Sequence, residues 1–323
     1  MATGAEQPLP GPPRDLVGYG ASIPRVVWPD GAKVAASLVV NYEEGSEHYR
    51  FAGDSKDDGL AEINYSLEPE FRDFGRESVY EYGSRAGIWR LLRIFDEYRL
   101  KVTFFACGMA LERNPDLGKA IGQAGHEPCG HGYRWSEPWH YSREEEHRQI
   151  RLAVDAIRDA CGERPYGWYW RYSPTPHTRE LLVEEGFVYD SDAYNDDLPY
   201  LTEVNGKQHV VVPYSQVLND YRFVTADGGH GAPRDFADGC SRALDELWRE
   251  GADGYPKMMS IGLHPRWIGQ PARASALREF VERALEKGDV WFARRLDIAR
   301  WWLDHHDEFD SPSGDRRCHS RLL

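Results

Sequence analysis

The chain is poor in positive charge, with 39 Lys and Arg against 53 Asp and Glu and a formal net charge of -14. That balance argues against a phosphate backbone or an anionic membrane surface as partner, since both require clustered Lys and Arg. Apolar runs are short as well. The opening MATGAEQPLPGPPRD lacks the apolar stretch of a secretory signal, and nothing approaches the roughly 20 apolar residues of a membrane span. A cytoplasmic protein is therefore expected. The five cysteines, Cys107, Cys129, Cys161, Cys240 and Cys318, are odd in number, widely spaced and without a CxxC pair, which speaks against a zinc knuckle or a redox couple. No internal repeat, low-complexity tract or shift in composition marks a second domain. The expected organisation is a flexible lead over residues 1–15, one domain over 16–307 and a flexible tail over 308–323.

What the sequence does contain is core material: 41% hydrophobic and 13% aromatic residues, enough for a packed interior and an aromatic-lined pocket. The expected partner is a small neutral or cationic substrate, neither nucleic acid nor membrane, with assembly into a homo-oligomer left open.

Apolar runs and helical periods alternate along the chain. Strands are predicted at Val34 to Val40, Val102 to Ala106, 126–130, Tyr166 to Trp170, Phe187 to Asp190, His209 to Pro213, Met258 to Leu263 and Val290 to Ala293. Between them, Ile88, Leu91, Leu92 and Phe95 recur on one helical face, as do Leu277, Phe280, Val281 and Ala284. Asn114-Pro115 opens a helix that Gly125 closes. Ser142 and Glu145 form a capping-box pattern before Ile150, Val154 and Ile157. Such alternation implies a parallel sheet, and seven or eight units would close it into a barrel. The segment Gly45 to Arg76 is long, polar and without period, as functional lids often are.

In parallel α/β barrels the chemistry lies at the carboxyl ends of the strands. Four predicted strands end there in groups that can move a proton: Glu43-Glu44, His131, Asp190-Ser191-Asp192 and His264. Adjacent carboxylates are most often solvated loop charges and a lone histidine is most often a core or rim residue, so no single group carries weight. Their fall at one end of one sheet does. Two neighbouring carboxylates repel, which is expected to raise one pKa and suit Glu43 to act as a base near neutrality.

Glu43-Glu44-Gly45 stands where the polysaccharide deacetylase family has Asp-Asp-Gly, and His131 stands at the first histidine of that family's His-x-x-x-His metal pair. The fifth position of that pair is Trp135. With NYEEG, ESVYEYGSRAG, HGYRW, YDSDAYNDDLPY and GLHPRWIG, matching from about Arg14 to His305, the chain resembles this family and, within it, the cofactor-independent allantoinase branch. The resemblance implies a distorted (β/α) barrel of about seven parallel strands and hydrolysis of a carbon–nitrogen bond in a cyclic amide or ureide. It implies no metal, because one of three ligands is lost at Trp135. Glu43 is then the expected base and His264 the expected acid, with Arg171 orienting Glu43. Glu44, His131, Trp135, Glu81, Arg85 and Asp192 are the expected substrate-binding residues. Glu81 and Arg85 also admit a plainer reading, as residues at a helix N-terminus. Pro128-Cys129-Gly130, Pro174-Thr175-Pro176 and Pro265-Arg266-Trp267 depart from the pattern around the pocket. The competing readings are a zinc-dependent deacetylase of N-acetylated sugars, another cyclic imide or amide hydrolase, and a non-enzymatic binding barrel.

Overall fold

Nine residues of unbroken burial, Val34–Tyr42, form the central strand β1, and a strand buried on both faces lies between two layers. Val34, Ala36, Leu38, Val40 and Tyr42 join an apolar cluster with the helices, whereas Ala35 and Val39 join a second cluster inside the curl of the sheet. The structure is a computed structural model that describes residues 11–60, 63, 65–224 and 231–309. Most of the expected lead and tail lies outside these residues.

The other strands are β2 (Thr103–Ala106), β3 (Glu127–Gly130), β4 (Gly167–Trp168), β5 (Tyr189–Asp190), β6 (Tyr200–Val204), β7 (Lys207–Val211), β8 (Lys257–Leu263) and β9 (Val290–Phe292). The helices are α1 (Phe74–Tyr82), α2 (Ile88–Glu97), α3 (Gly108–Arg113), α4 (Pro115–Ala124), α5 (Arg143–Cys161), α6 (Thr178–Glu184), α7 (Pro233–Ala252), α8 (Pro271–Lys287) and α9 (Arg295–His305). The sheet runs β6-β7-β5-β4-β3-β2-β1-β8, all parallel from β7 to β8, so the expected seven parallel strands are present. β8 covers one edge of β1, and the other edge is shared by β2 at Val39 to Tyr42 and β9 at Val34 to Ala36. Closure is irregular. The far edge of β8 gives the Met258 and Gly262 amides to the carbonyls of Asp197 and Leu218 at 3.0 and 3.1 Å, in loop segments where an ideal barrel would place another strand. The result is a curled half-barrel.

Two features depart from the sequence reading. β6 is antiparallel to β7, joined through Asn205 and Gly206, whose φ angles of 51° and 74° make the left-handed turn that Asn-Gly favours. That dipeptide was a readable hairpin signal. The capping box is half formed: Ser142 accepts from the Glu145 amide at 3.2 Å, while the Glu145 carboxylate turns to Arg148 and Gln149.

α1 and α2 are one continuous rod interrupted by a π turn at Gly83–Gly87, a distortion that often marks functional sites. Both glycines are dictated by proximity. A Cβ on Gly83 would overlap the Glu44 carboxylate, and one on Gly87 would overlap the backbone carbonyl of Pro265. Gly87→Ala is therefore expected to destabilise the protein by about 1–3 kcal/mol, the range for overpacking against a rigid neighbour. Denaturant midpoints check this, and an unchanged midpoint would mean that the Pro265 turn yields freely.

Candidate active site

Period-two alternation in β1 sends Asn41 into the barrel, where its amide donates to the Tyr214 hydroxyl at 3.1 Å. Glu43, two residues on, enters the mouth on the same side. Glu44 turns the other way, against Gly83. The mouth is built in layers. Arg295 lies fully buried low in the barrel, donating to Ser191 and Ser260 at 2.8 and 2.6 Å. Phe105 and Tyr214 lie against its guanidinium, and Tyr169 stacks on Phe105 and packs at an angle on Tyr214. His131 lies flat on Tyr169, with ring centroids 5.2 Å apart.

On this floor sits a closed cluster of six side chains, Glu43, Glu44, His131, Asp220, His264 and Arg266, each 6% exposed or less. His131 Nδ1 is 2.7 Å from the Tyr169 carbonyl. A carbonyl only accepts, so Nδ1 carries the proton of that bond, and Nε2 faces Glu43 Oε1 at 3.4 Å. His264 mirrors it, with Nε2 3.6 Å from the same oxygen. Asp220 grips His264 twice, accepting from its amide at 2.7 Å and from Nδ1 at 2.6 Å. Arg266 donates to Glu43 Oε2 at 2.7 Å and lies 3.4 Å from Glu44 Oε1.

These contacts decide the charges. Burial alone would raise the Glu43 carboxyl, but Arg266 and His264 outweigh it and hold the pKa well below the usual range. Burial raises Glu44, with Arg266 opposing and Glu43 adding to the rise. The expectation that Glu43 would be the raised member of the pair is thus reversed, because the guanidinium is closer to Glu43 than to Glu44. Burial would lower His264, but Asp220 and Glu43 win and lift it to about 9. At neutral pH the cluster therefore holds an ionised carboxylate beside a protonated imidazole, which is the pairing that acid–base hydrolysis needs.

Four expected site residues are placed differently. Arg171 does not orient Glu43. It makes a bidentate pair with Asp58 at 2.7 and 3.0 Å, donates to the Trp135 carbonyl at 2.7 Å and stacks on the Trp135 ring 3.6 Å from its centroid. The Glu43 partner is Arg266 instead. Glu81 and Arg85 belong to α1 and the π turn and pair with each other at 3.3 Å, their side chains 57% and 77% exposed. The same helix turns Tyr80 inward, over the Arg266 guanidinium. Asp192 accepts from the Trp170 amide at 2.8 Å and bonds no member of the cluster, while Asp190 pairs with Arg179 at 2.8 Å and lies 3.0 Å from His209 Nε2.

The described residues of the Gly45 to Arg76 segment are stitched to the mouth by charge. Asp58 takes Arg171, Asp54 takes Arg134 at 2.7 Å, and Glu137 takes Lys56 and His48 at 2.6 and 2.7 Å. His48, Asp58 and Glu137 bring metal-capable atoms within 4.8 Å of one another, but Arg171 and Lys56 already neutralise that group. The deacetylase-type metal position fits no better, since Glu44 faces a guanidinium and Trp135, at the sequence position of that family's second histidine, offers no ligand atom.

A carboxylate and an aspartate-held histidine converge at the carboxyl end of a curled parallel sheet, an arrangement suited to hydrolysis. The chain belongs to the polysaccharide deacetylase family. Residues 78–187 match the family described as polysaccharide deacetylase. A putative polysaccharide deacetylase of Schizosaccharomyces pombe is 35% identical over 91% of this chain and 98% of its own. Among solved structures, a PuuE allantoinase is 45% identical with a TM-score of 0.85, covering 91% of this chain and 98% of that one. A probable polysaccharide deacetylase from Pseudomonas aeruginosa PAO1 is 44% identical with the same TM-score, covering 91% and 99%. No helix among the described residues is long and apolar enough to cross a membrane.

Proposed function

We propose that this hydrolase opens the ring of a cyclic amide or ureide, with allantoin to allantoate as the first reaction to test, and that it does so without a metal. The carrying observation is the convergence of His131 Nε2 and of the Asp220-held His264 Nε2 on one oxygen of the buried Glu43 carboxylate, at 3.4 and 3.6 Å. The PuuE allantoinase likeness over nearly the full length of both chains supports the substrate class. A small-molecule substrate also fits the cytoplasmic location expected from the sequence.

In this reading a water bonded to Glu43 adds to a ring carbonyl and its proton passes to the carboxylate. The carbon–nitrogen bond then breaks as His264 delivers its proton to the departing nitrogen, which otherwise leaves poorly. His131 and the Trp135 indole hold the flat ring, one by hydrogen bonding and one by its apolar face.

The test is a substrate panel on one metal-free preparation: allantoin, hydantoin, dihydropyrimidines, cyclic imides and N-acetylated sugars. Ring opening of a ureide should survive prolonged chelation. Loss of activity with EDTA and recovery with zinc, or turnover confined to acetylated sugars, would replace this reading with the metal-dependent deacetylase.

A further inference from the structure

We infer that Arg266 is the resident cation of the active site, standing between the paired carboxylates and donating to the oxyanion formed when water adds to the substrate. The inference rests on the hydrolytic reading above. Three observations carry it.

The first is position. Arg266 follows β8 by three residues, in a turn closed by the Trp267 and Ile268 amides on the His264 carbonyl at 2.9 and 3.0 Å. That turn is braced where Pro265 packs on Gly87. The guanidinium reaches both carboxylates from there. The second is spare capacity. Each terminal nitrogen has one carboxylate partner, and Nε is buried with none, so N–H donors remain for an incoming oxyanion. The third is the cage. Arg266 lies 4.3, 5.0 and 5.6 Å from the ring centroids of Trp267, Tyr80 and Trp135, which exclude water and hold the cation in place. A fixed charge in such surroundings acts on a developing oxyanion without reorganising.

The arrangement also couples the two halves of the reaction. As negative charge grows on the substrate oxygen, Arg266 shares its positive charge with it. Glu43 loses part of what suppresses its basicity at the moment it must hold the water's proton.

Arg266→Ala tests this with two readouts. Turnover of whichever substrate the wild type accepts should fall about 10²–10³-fold, the usual cost of one oxyanion donor, and guanidinium ion at millimolar concentration should restore part of it. Independently of activity, cobalt(II) spectroscopy should show no binding to the wild type and binding to Arg266→Ala, whose two carboxylates no longer face the guanidinium. Arg266→Lys keeps the charge and the stem packing, so it should fold, exclude cobalt and turn over more slowly than the wild type. Turnover of a folded Arg266→Ala protein within a few-fold of the wild type would overturn the inference. So would cobalt binding by the wild type or by Arg266→Lys. If no cyclic amide is turned over, the cobalt result still decides the cation's role, and only the substrate reading fails.

Discussion

Glu43→Gln should lower turnover toward the upper end of the ~10²–10⁴-fold range of general acid–base catalysis while leaving the protein folded. The substitution keeps the size and one hydrogen-bond acceptor but removes the charge that both deprotonates water and partners Arg266. Removing one member of a buried ion pair typically costs about 3–5 kcal/mol. Here Glu44 remains beside the guanidinium at 3.4 Å, so the loss should be smaller and show as a lowered Tm with an unchanged circular dichroism spectrum. Single-turnover kinetics with calorimetry separates the two effects. A folded variant with near-native turnover would move the base to Glu44.

The second large effect belongs to His264 and Asp220. His264→Ala should cut turnover by about 10²–10⁴-fold with a smaller change in substrate binding, since the proton is needed mainly as the bond breaks. The pH profile gives an independent test. His264 is lifted to about 9, so the acid is present at neutral pH and lost as the pH rises through 9, where kcat/KM of the free enzyme should fall. Glu43, held low, sets no competing loss near neutrality. Asp220→Asn removes the negative charge beside Nδ1 and should move the alkaline limb to lower pH as well as reduce turnover. An alkaline limb unmoved by Asp220→Asn would show that some other group is titrating.

What the sequence revealed and what it hid divides along physical lines. The strands were visible because buried parallel strands are short continuous apolar runs, and their ends pointed to Glu43, His131 and His264. Asp220 was invisible. It lies in an irregular stretch without period, 44 residues before its partner, and only the curl of the sheet brings the two together. Arg266 was in view within the Pro265-Arg266-Trp267 departure but had no local pattern to mark it as the partner of a carboxylate 223 residues earlier. Arg171 drew attention instead, because an arginine after an aromatic run matched the family expectation. In the structure that position serves Asp58 and the mouth-covering segment. Glu81 and Arg85 failed for a simpler reason: a helix has an outer face, and the motif that contains them is functional through Tyr80, Gly83 and Gly87 on the inner one.

The π turn at Gly83–Gly87 places two demands on a single rod. Its first half must aim Tyr80 at Arg266, and its second must bury Ile88, Leu91 and Phe95. A uniform α-helix advances roughly 100° per residue, so closing the turn by deleting one residue would rotate everything beyond it by about that angle. The aromatic wall could keep its aim only by swinging the apolar stripe of α2 off the barrel, or the stripe could stay seated only by turning Tyr80 away from the guanidinium. The extra residue is thus a phase shifter, and insertions or deletions in this stretch should be far less tolerated than substitutions on its solvent side.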